Sequence, residues 1–229
     1  MKRAPAVFYA LFFLAAAVAF PQGSYLKKGQ HGLGLSGTYA TSNGASGFSG
    51  TAGVALGGLF DLTLSVGRAT YESTEFIDLE GTSLVPELRG HVIKQNSSKS
   101  PVSLSISVGF ARDDFSSPDL DAASLVMWAK SLLVGATVYR DVPISGKAYI
   151  QPYAGLGYTS SSFKFRDETT DLTLKSTGDV FSFSFGVPLV YGLSDRALFV
   201  VQPGLILNED ATTFAITAGL VYVFSKAGS

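Results

Sequence analysis

The chain has 229 residues, 46% of them hydrophobic and only 15% charged, and a formal net charge of −1. It contains no cysteine, which excludes disulfides, thiolate chemistry and a lipid-modified N-terminal cysteine. The near-neutral balance without a basic patch excludes a nucleic-acid partner.

Lys2 and Arg3 precede an apolar run from Ala6 to Phe20, closed by the small-x-small pattern Ala17-Val18-Ala19. This is the layout of a secretory signal peptide, predicted over residues 1–19, and the run is short of the ~20 residues a membrane helix needs. Residues 20–29 then form an N-terminal periplasmic segment. The next apolar stretch, Ala122 to Tyr139, is broken by Ser124, Lys130, Ser131 and Thr137, and a mid-span charge is costly in a lone helix. The mean hydropathy of +0.28 therefore needs an explanation other than membrane helices.

Period-two alternation supplies it. Ten runs bounded by Gly, Ser, Asn, Asp or Pro clusters read as strands, at about 30–40, 47–57, 60–71, 82–94, 101–112, 124–140, 147–160, 179–191, 196–207 and 213–224. The first sets Leu33, Leu35 and Tyr39 against Gly34, Ser36 and Thr38. The fifth sets Val102, Leu104, Ile106, Val108 and Phe110 against serines and Gly109. In the sixth, Val134, Ala136 and Val138 form the lipid face. The last puts Phe214, Ile216, Ala218, Leu220, Tyr222 and Phe224 on one face and smaller residues on the other. One large apolar face and one small, softer face is the signature of a lipid-facing barrel strand.

An even strand count puts both termini on the periplasmic side. The links predicted there are short: 57–59, 95–100, 141–146 and 192–196. Three of those on the outer side are long: 72–81, 113–123 and 166–178. Aromatics gather at strand ends, as interfacial girdles do: Tyr39, Phe48, Phe110, Trp128, Tyr158, Phe181 and Phe214 outside, and Phe60, Tyr139, Tyr191, Phe199, Tyr222 and Phe224 inside. The predicted fold is an all-β, antiparallel up-and-down transmembrane barrel over residues 30–224, with a tail at 225–229. Its last strand closes on the first near Leu33 and Leu35.

With Gly32-Leu33-Gly34-Leu35, Tyr153-Ala154-Gly155-Leu156-Gly157-Tyr158 and the terminal Leu220-Val221-Tyr222-Val223-Phe224, the chain resembles the small outer-membrane barrels of the opacity and OmpA types. That resemblance implies a Gram-negative-type envelope, a cell-surface position in outer-membrane lipid, and delivery by the barrel assembly machinery. In this reading Leu220, Tyr222 and Phe224 are the assembly signal, followed here by five further residues. The family typically has eight strands, against ten counted here, and eight stays open as the alternative.

Two residue sets could carry function. Glu87, Arg89 and His91 share the lumen face of the fourth strand. A hydrogen-bonded lumen network with Tyr149, Gln151, Tyr153 and Gln202 would satisfy them, since buried charges need partners. Acidic residues dominate the predicted outer loops: Glu72, Glu75, Asp78, Glu80, Asp113, Asp114, Asp119, Asp121, Asp167, Glu168 and Asp171, with Asp179, Glu209 and Asp210 nearby. Lys27, Lys28, Lys94, Lys99, Arg140, Lys147, Arg196 and Lys226 lie on the periplasmic side. Carboxylates at a rim could hold divalent cations, although no calcium-loop spacing is present, and solvated loops are charged in any case. Asp113-Asp114 resembles the paired aspartates of omptin-like proteases, but those also need a rim histidine, and His31 and His91 both fall toward the periplasmic half. The expected role is non-enzymatic, without metal or cofactor: a structural or surface-interaction barrel meeting an extracellular ligand of unspecified chemistry. A narrow, porin-like pore for small polar solutes is the first alternative, and a rim-active hydrolase the second.

Overall fold

The structure is a computed structural model that describes residues 22–42, 44–72, 78–96, 99–209 and 211–225. The predicted signal peptide and residues 226–229 of the tail lie outside them, as do Glu75 and Asp210. Thirteen strand segments form one antiparallel sheet: β1 (His31–Ser42), β2 (Ala45–Leu56), β3 (Phe60–Tyr71), β4 (Leu79–Ile93), β5 (Ser103–Ser116), β6 (Leu125–Tyr139), β7 (Val142–Ser145), β8 (Ala148–Ile150), β9 (Tyr153–Asp167), β10 (Thr173–Gly186), β11 (Leu189–Ser194), β12 (Ala197–Asn208) and β13 (Thr212–Ser225). Helix α1 (Pro118–Ala122) joins β5 to β6, with the Ser117 side chain accepting from Leu120 N at its N-cap.

The thirteen segments are ten strands. β6 pairs with β9 as Tyr139↔Tyr153, and β7 with β8 as Val142↔Ile150, in unbroken register. Likewise Gly186↔Gly204 of β10 and β12 runs on to Leu189↔Val201 of β11 and β12. The strands predicted at 124–140, 147–160 and 179–191 are therefore real. Two of their interruptions fall at Pro152 and Pro188, which have no N–H to give the ladder. Their carbonyls still bridge the gap, accepting from Arg140 N (3.1 Å) and Gln151 N (2.9 Å).

The sheet closes on itself. β13 pairs with β1, as Leu33↔Tyr222 and Leu35↔Leu220, and β10 pairs with β12. Going round the sheet partner by partner from Gly204 leads through Ala215, Ala40, Gly47, Ala69, Gly81, Phe115, Met127 and Phe165 to Leu174. Gly204 itself pairs with Gly186, so the stagger is twelve residues. With ten strands at ordinary sheet spacings, that shear tilts each strand by about 40°.

Residue alternation follows the pleat. β3 reads exposed-buried throughout, with Phe60, Leu62, Leu64 and Val66 out and Asp61, Thr63 and Ser65 in. The outward face is an apolar belt, with Leu35 at 66% and Phe48 at 68% exposure. Only a membrane makes such a surface stable, and a closed barrel leaves no unpaired backbone within it. Outer-end aromatics meet across strands, Tyr39 with Phe48 (centroids 4.8 Å apart) and Tyr158 with Phe181 (5.0 Å). Two expected girdle residues differ. Tyr139 is inward and buried, because it shares the parity of Gly135 and Thr137. Trp128 faces out but stands two outward positions above Leu132, stacked under Lys164.

Candidate functional site

The lumen is filled from both ends. At the outer end, Tyr71, Leu79, Phe115, Leu120, Met127 and Phe163 form an apolar cluster, and α1 contributes Leu120 from above. Tyr71 and Phe115 meet where Gly81 leaves room; a Cβ there would lie 2.9 Å from each ring.

At the periplasmic end the filler is the segment before β1. Gln22–Tyr25 forms one 3-10 turn, wholly buried. Glycines make the space: a Cβ on Gly34 would lie 2.1 Å from Gln22 Cγ, and one on Gly53 2.7 Å from its amide nitrogen. Tyr25 and Leu26 are packed against Val190, Val200, Val221 and Val223. Residues 22–26 thus act as a plug inside the barrel mouth rather than a segment below it.

A polar clasp holds this plug. Gly23 N donates to Asp61 Oδ1 (2.7 Å), and Asp61 Oδ2 meets His91 Nε2 (2.9 Å). His91 Nδ1 meets the Tyr139 hydroxyl at 2.8 Å. Gln151 Nε2 donates to Ser24 O (3.0 Å) and to Asp141 Oδ1 (2.7 Å), and the Tyr25 hydroxyl donates to Gln202 Oε1 (2.9 Å). Lys94, just past β4, donates to the carbonyls of Gly23 and Leu26. Burial pushes its ammonium down to about 8.

Glu87 and Arg89 stand deeper and pair with each other, Arg89 Nη2 to Glu87 Oε1 at 2.9 Å. They face a chamber of about 130 Å³ against the plug residues Ser24 and Tyr25, also lined by Ser107, Thr137, Ser182 and Ser184. Of the seven residues expected in one lumen network, His91, Gln151 and Gln202 hold the plug, while Glu87 and Arg89 form their own pair. Tyr149 joins the apolar periplasmic cluster. The Tyr153 ring lies across Gly186 and Gly204, and its hydroxyl makes no hydrogen bond among the described residues. Sequence reasoning missed Asp61, Lys94, Tyr139 and the plug. Asp61 was the findable one, a lone carboxylate at an inward position of a strand whose other inward residues are uncharged or small.

The outer acidic set is corrected in detail. Asp113 and Asp114 lie in β5, not in a loop, because β5 runs on to Ser116. The pleat sends them to opposite faces. Asp113 is inward and buried beside Ser83, and neither of its oxygens has a hydrogen-bond partner among the described residues; Asp114 is outward, paired with Arg112 at 3.0 Å. Glu80 lies in β4, because that strand begins at Leu79, and it pairs with Arg68. Asp119 and Asp121 belong to α1, and Asp167 ends β9. Asp171 pairs with Arg166 at 2.8 Å. Glu72, Asp78 and Glu168 remain in outer connections. The outer rim is thus mixed in sign, and a group of three or more metal-ligating side chains is absent among the described residues.

No family model and no curated protein matches this sequence. Solved structures do. The translocator domain of the autotransporter NalP from Neisseria meningitidis matches with a TM-score of 0.59 at 14% identity, covering 96% of each chain. A major outer membrane protein from Thermus thermophilus gives 0.45 at 13%, over 85% of this chain and 99% of that one. Ail of Yersinia pestis gives 0.43 at 11%, over 86% and 100%. At such identities the likeness is one of fold. Together with the apolar belt, it makes this chain a ten-stranded β-barrel of the outer membrane.

Proposed function

We propose that this protein is a non-conducting, non-enzymatic barrel that presents a surface to the cell exterior. The observation that carries the reading is the double closure of the lumen, by the apolar cluster at one end and the clasped plug at the other. In favour of the pore alternative stand the chamber of about 130 Å³ and a wider vestibule of about 1230 Å³ at the periplasmic mouth, and the plug residues Ser24 and Tyr25 line both. The hydrolase alternative loses its pair, since Asp113 and Asp114 point to opposite faces and His31 and His91 sit at the other end. The opacity-type and OmpA-type resemblance bears on architecture, with strand number as the point of difference.

The presenting surface is the wall β5–β6–β9–β10. The upper part of β10, Thr173 to Phe181, continues beyond Ser182, which pairs with Asn208 at the top of β12. Among the described residues that stretch has no ladder partner on its second edge. Free edges are where extended peptides add as strands. Leu174 within it and Leu172 just before it are exposed. Outer-membrane lipid surrounds the belt, and Leu220, Tyr222 and Phe224 face out of the closing strand, where assembly machinery would read them. Planar-bilayer recording tests closure. A silent protein is expected; steady single-channel steps from the purified full chain would overturn the reading.

A further inference from the structure

Sequence charge counting placed the basic residues at the periplasmic end, but the register collects a second group on the outward face of the raised wall. Arg112 of β5 is directly opposite Lys130 of β6. Lys164 of β9 is directly opposite Lys175 of β10, and on its other side opposite Trp128 of β6, with its ammonium 5.9 Å from the indole centroid. Ser162 separates Lys130 from Lys164 on the same face. Two like-charged pairs facing each other across strands are unfavourable as they stand. Two carboxylates share the face: Asp114, which is paired with Arg112, and Asp179. Lys130, Lys164 and Lys175 form no ion pair among the described residues.

The height of the group identifies its counter-ion. Lys130 and Arg112 stand one outward step, about 5 Å, above Leu132 and Phe110, which are cross-strand partners in the apolar belt. Tyr158 and Phe181 mark the belt's upper edge on β9 and β10. Arg112 and Lys130, one step above the belt, lie at headgroup depth, where anionic lipid is attracted to Lys and Arg. Lys164 and Lys175 stand three outward positions, about 20 Å along their strands, beyond Tyr158 and Phe181 and extend the group away from the belt. Trp128 adds an amphipathic ring suited to the same layer. We propose that Arg112, Lys130, Lys164 and Lys175 form a binding site for the phosphate-bearing headgroup of an outer-leaflet lipid, its phosphates lying between the like-charged pairs. The assignment rests on the wall facing outward, as in the reading above.

The test is thermal unfolding of the refolded full chain in phosphatidylcholine vesicles, with and without 10 mol% diphosphorylated lipid A. The expected result is a midpoint rise of several degrees with lipid A, shrinking in high salt. It should be absent in a K130Q/K164Q/K175Q variant whose midpoint in phosphatidylcholine alone is at least that of the parent. A K27Q/K28Q/K99Q/K147Q variant of the periplasmic end should keep the rise. No rise in the parent, an undiminished rise in the triple variant, or loss of the rise only in the periplasmic variant each overturns the site. Bilayer conductance is independent of all three outcomes, so failure here is distinguishable from failure of the closed-lumen reading.

Discussion

Gly23→Ala is the sharpest perturbation of the plug. A Cβ at this position would lie 2.5 Å from Asp61 Oδ1 and 2.7 Å from His91 Nε2. These atoms cannot both withdraw, because they hold each other and, through His91, Tyr139. The variant must give up the hydrogen bond from Gly23 N to the Asp61 carboxylate, and a bond to a charged group contributes about 2–3 kcal/mol. That loss raises the population of the undocked plug by roughly 30- to 150-fold. The chain has no cysteine, so a single Ser24→Cys reports on this position cleanly with a water-soluble maleimide. Ser24 is buried in the docked plug, with its backbone carbonyl held by Gln151 and its side chain beside the Tyr139 hydroxyl, so Ser24→Cys alone is the reference for the labelling rate. Labelling of the introduced thiol should accelerate by that factor when Gly23→Ala is added, in barrels that still resist unfolding by detergent. Equal labelling rates in folded barrels would refute the clasp.

Two aspartates should respond oppositely to amidation. Asp113→Asn removes a buried carboxylate that has no hydrogen-bond partner among the described residues and should leave stability unchanged or raise it by about 1–3 kcal/mol, whereas Asp61→Asn should lower it by about as much; urea titrations of folding into vesicles compare them. Lys94 predicts a pH effect. Its folded value of about 8 lies below its unfolded 10.5, so between those pH values the unfolded chain binds the extra proton and stability rises with pH, by up to about 3 kcal/mol. Below pH 8 its contribution is flat, and Lys94→Met should remove the rise; a parent stability that falls through this window relative to Lys94→Met would contradict the assignment. Phe224→Ser should reduce the folded, heat-modifiable fraction in cell envelopes several-fold while sparing refolding in detergent, and equal envelope levels would remove it from the assembly signal.

The wall was readable because period-two alternation is imposed by lipid on one side and a narrow interior on the other. Leu33, Phe48, Leu64 and Phe183 therefore declare their faces from sequence alone. Strand ends were less legible. β5 continues through Asp113-Asp114 to Ser116, which composition reads as loop, because outside the lipid nothing forbids charge on a strand. The plug was illegible for a different reason. Gln22-Gly23-Ser24-Tyr25 has no periodicity, and its fit depends on gaps left by Gly34 and Gly53, which are far from it in the chain. The glycines were visible, but only the closed barrel shows what occupies the space above them.

The order of the chain gives that fit a temporal meaning. The plug precedes β1, and its nearest supports, Gly34, Gly53 and Asp61, belong to the first three strands. His91, Tyr139, Gln151 and Gln202 arrive later, and β13 last of all seals against β1. A stopper threaded into a finished barrel would have to pass its mouth with the Gln22 and Tyr25 side chains extended. One laid on the first hairpin is simply wrapped by the strands that follow. Chain order and packing together place the N-terminal segment where the later strands close around it.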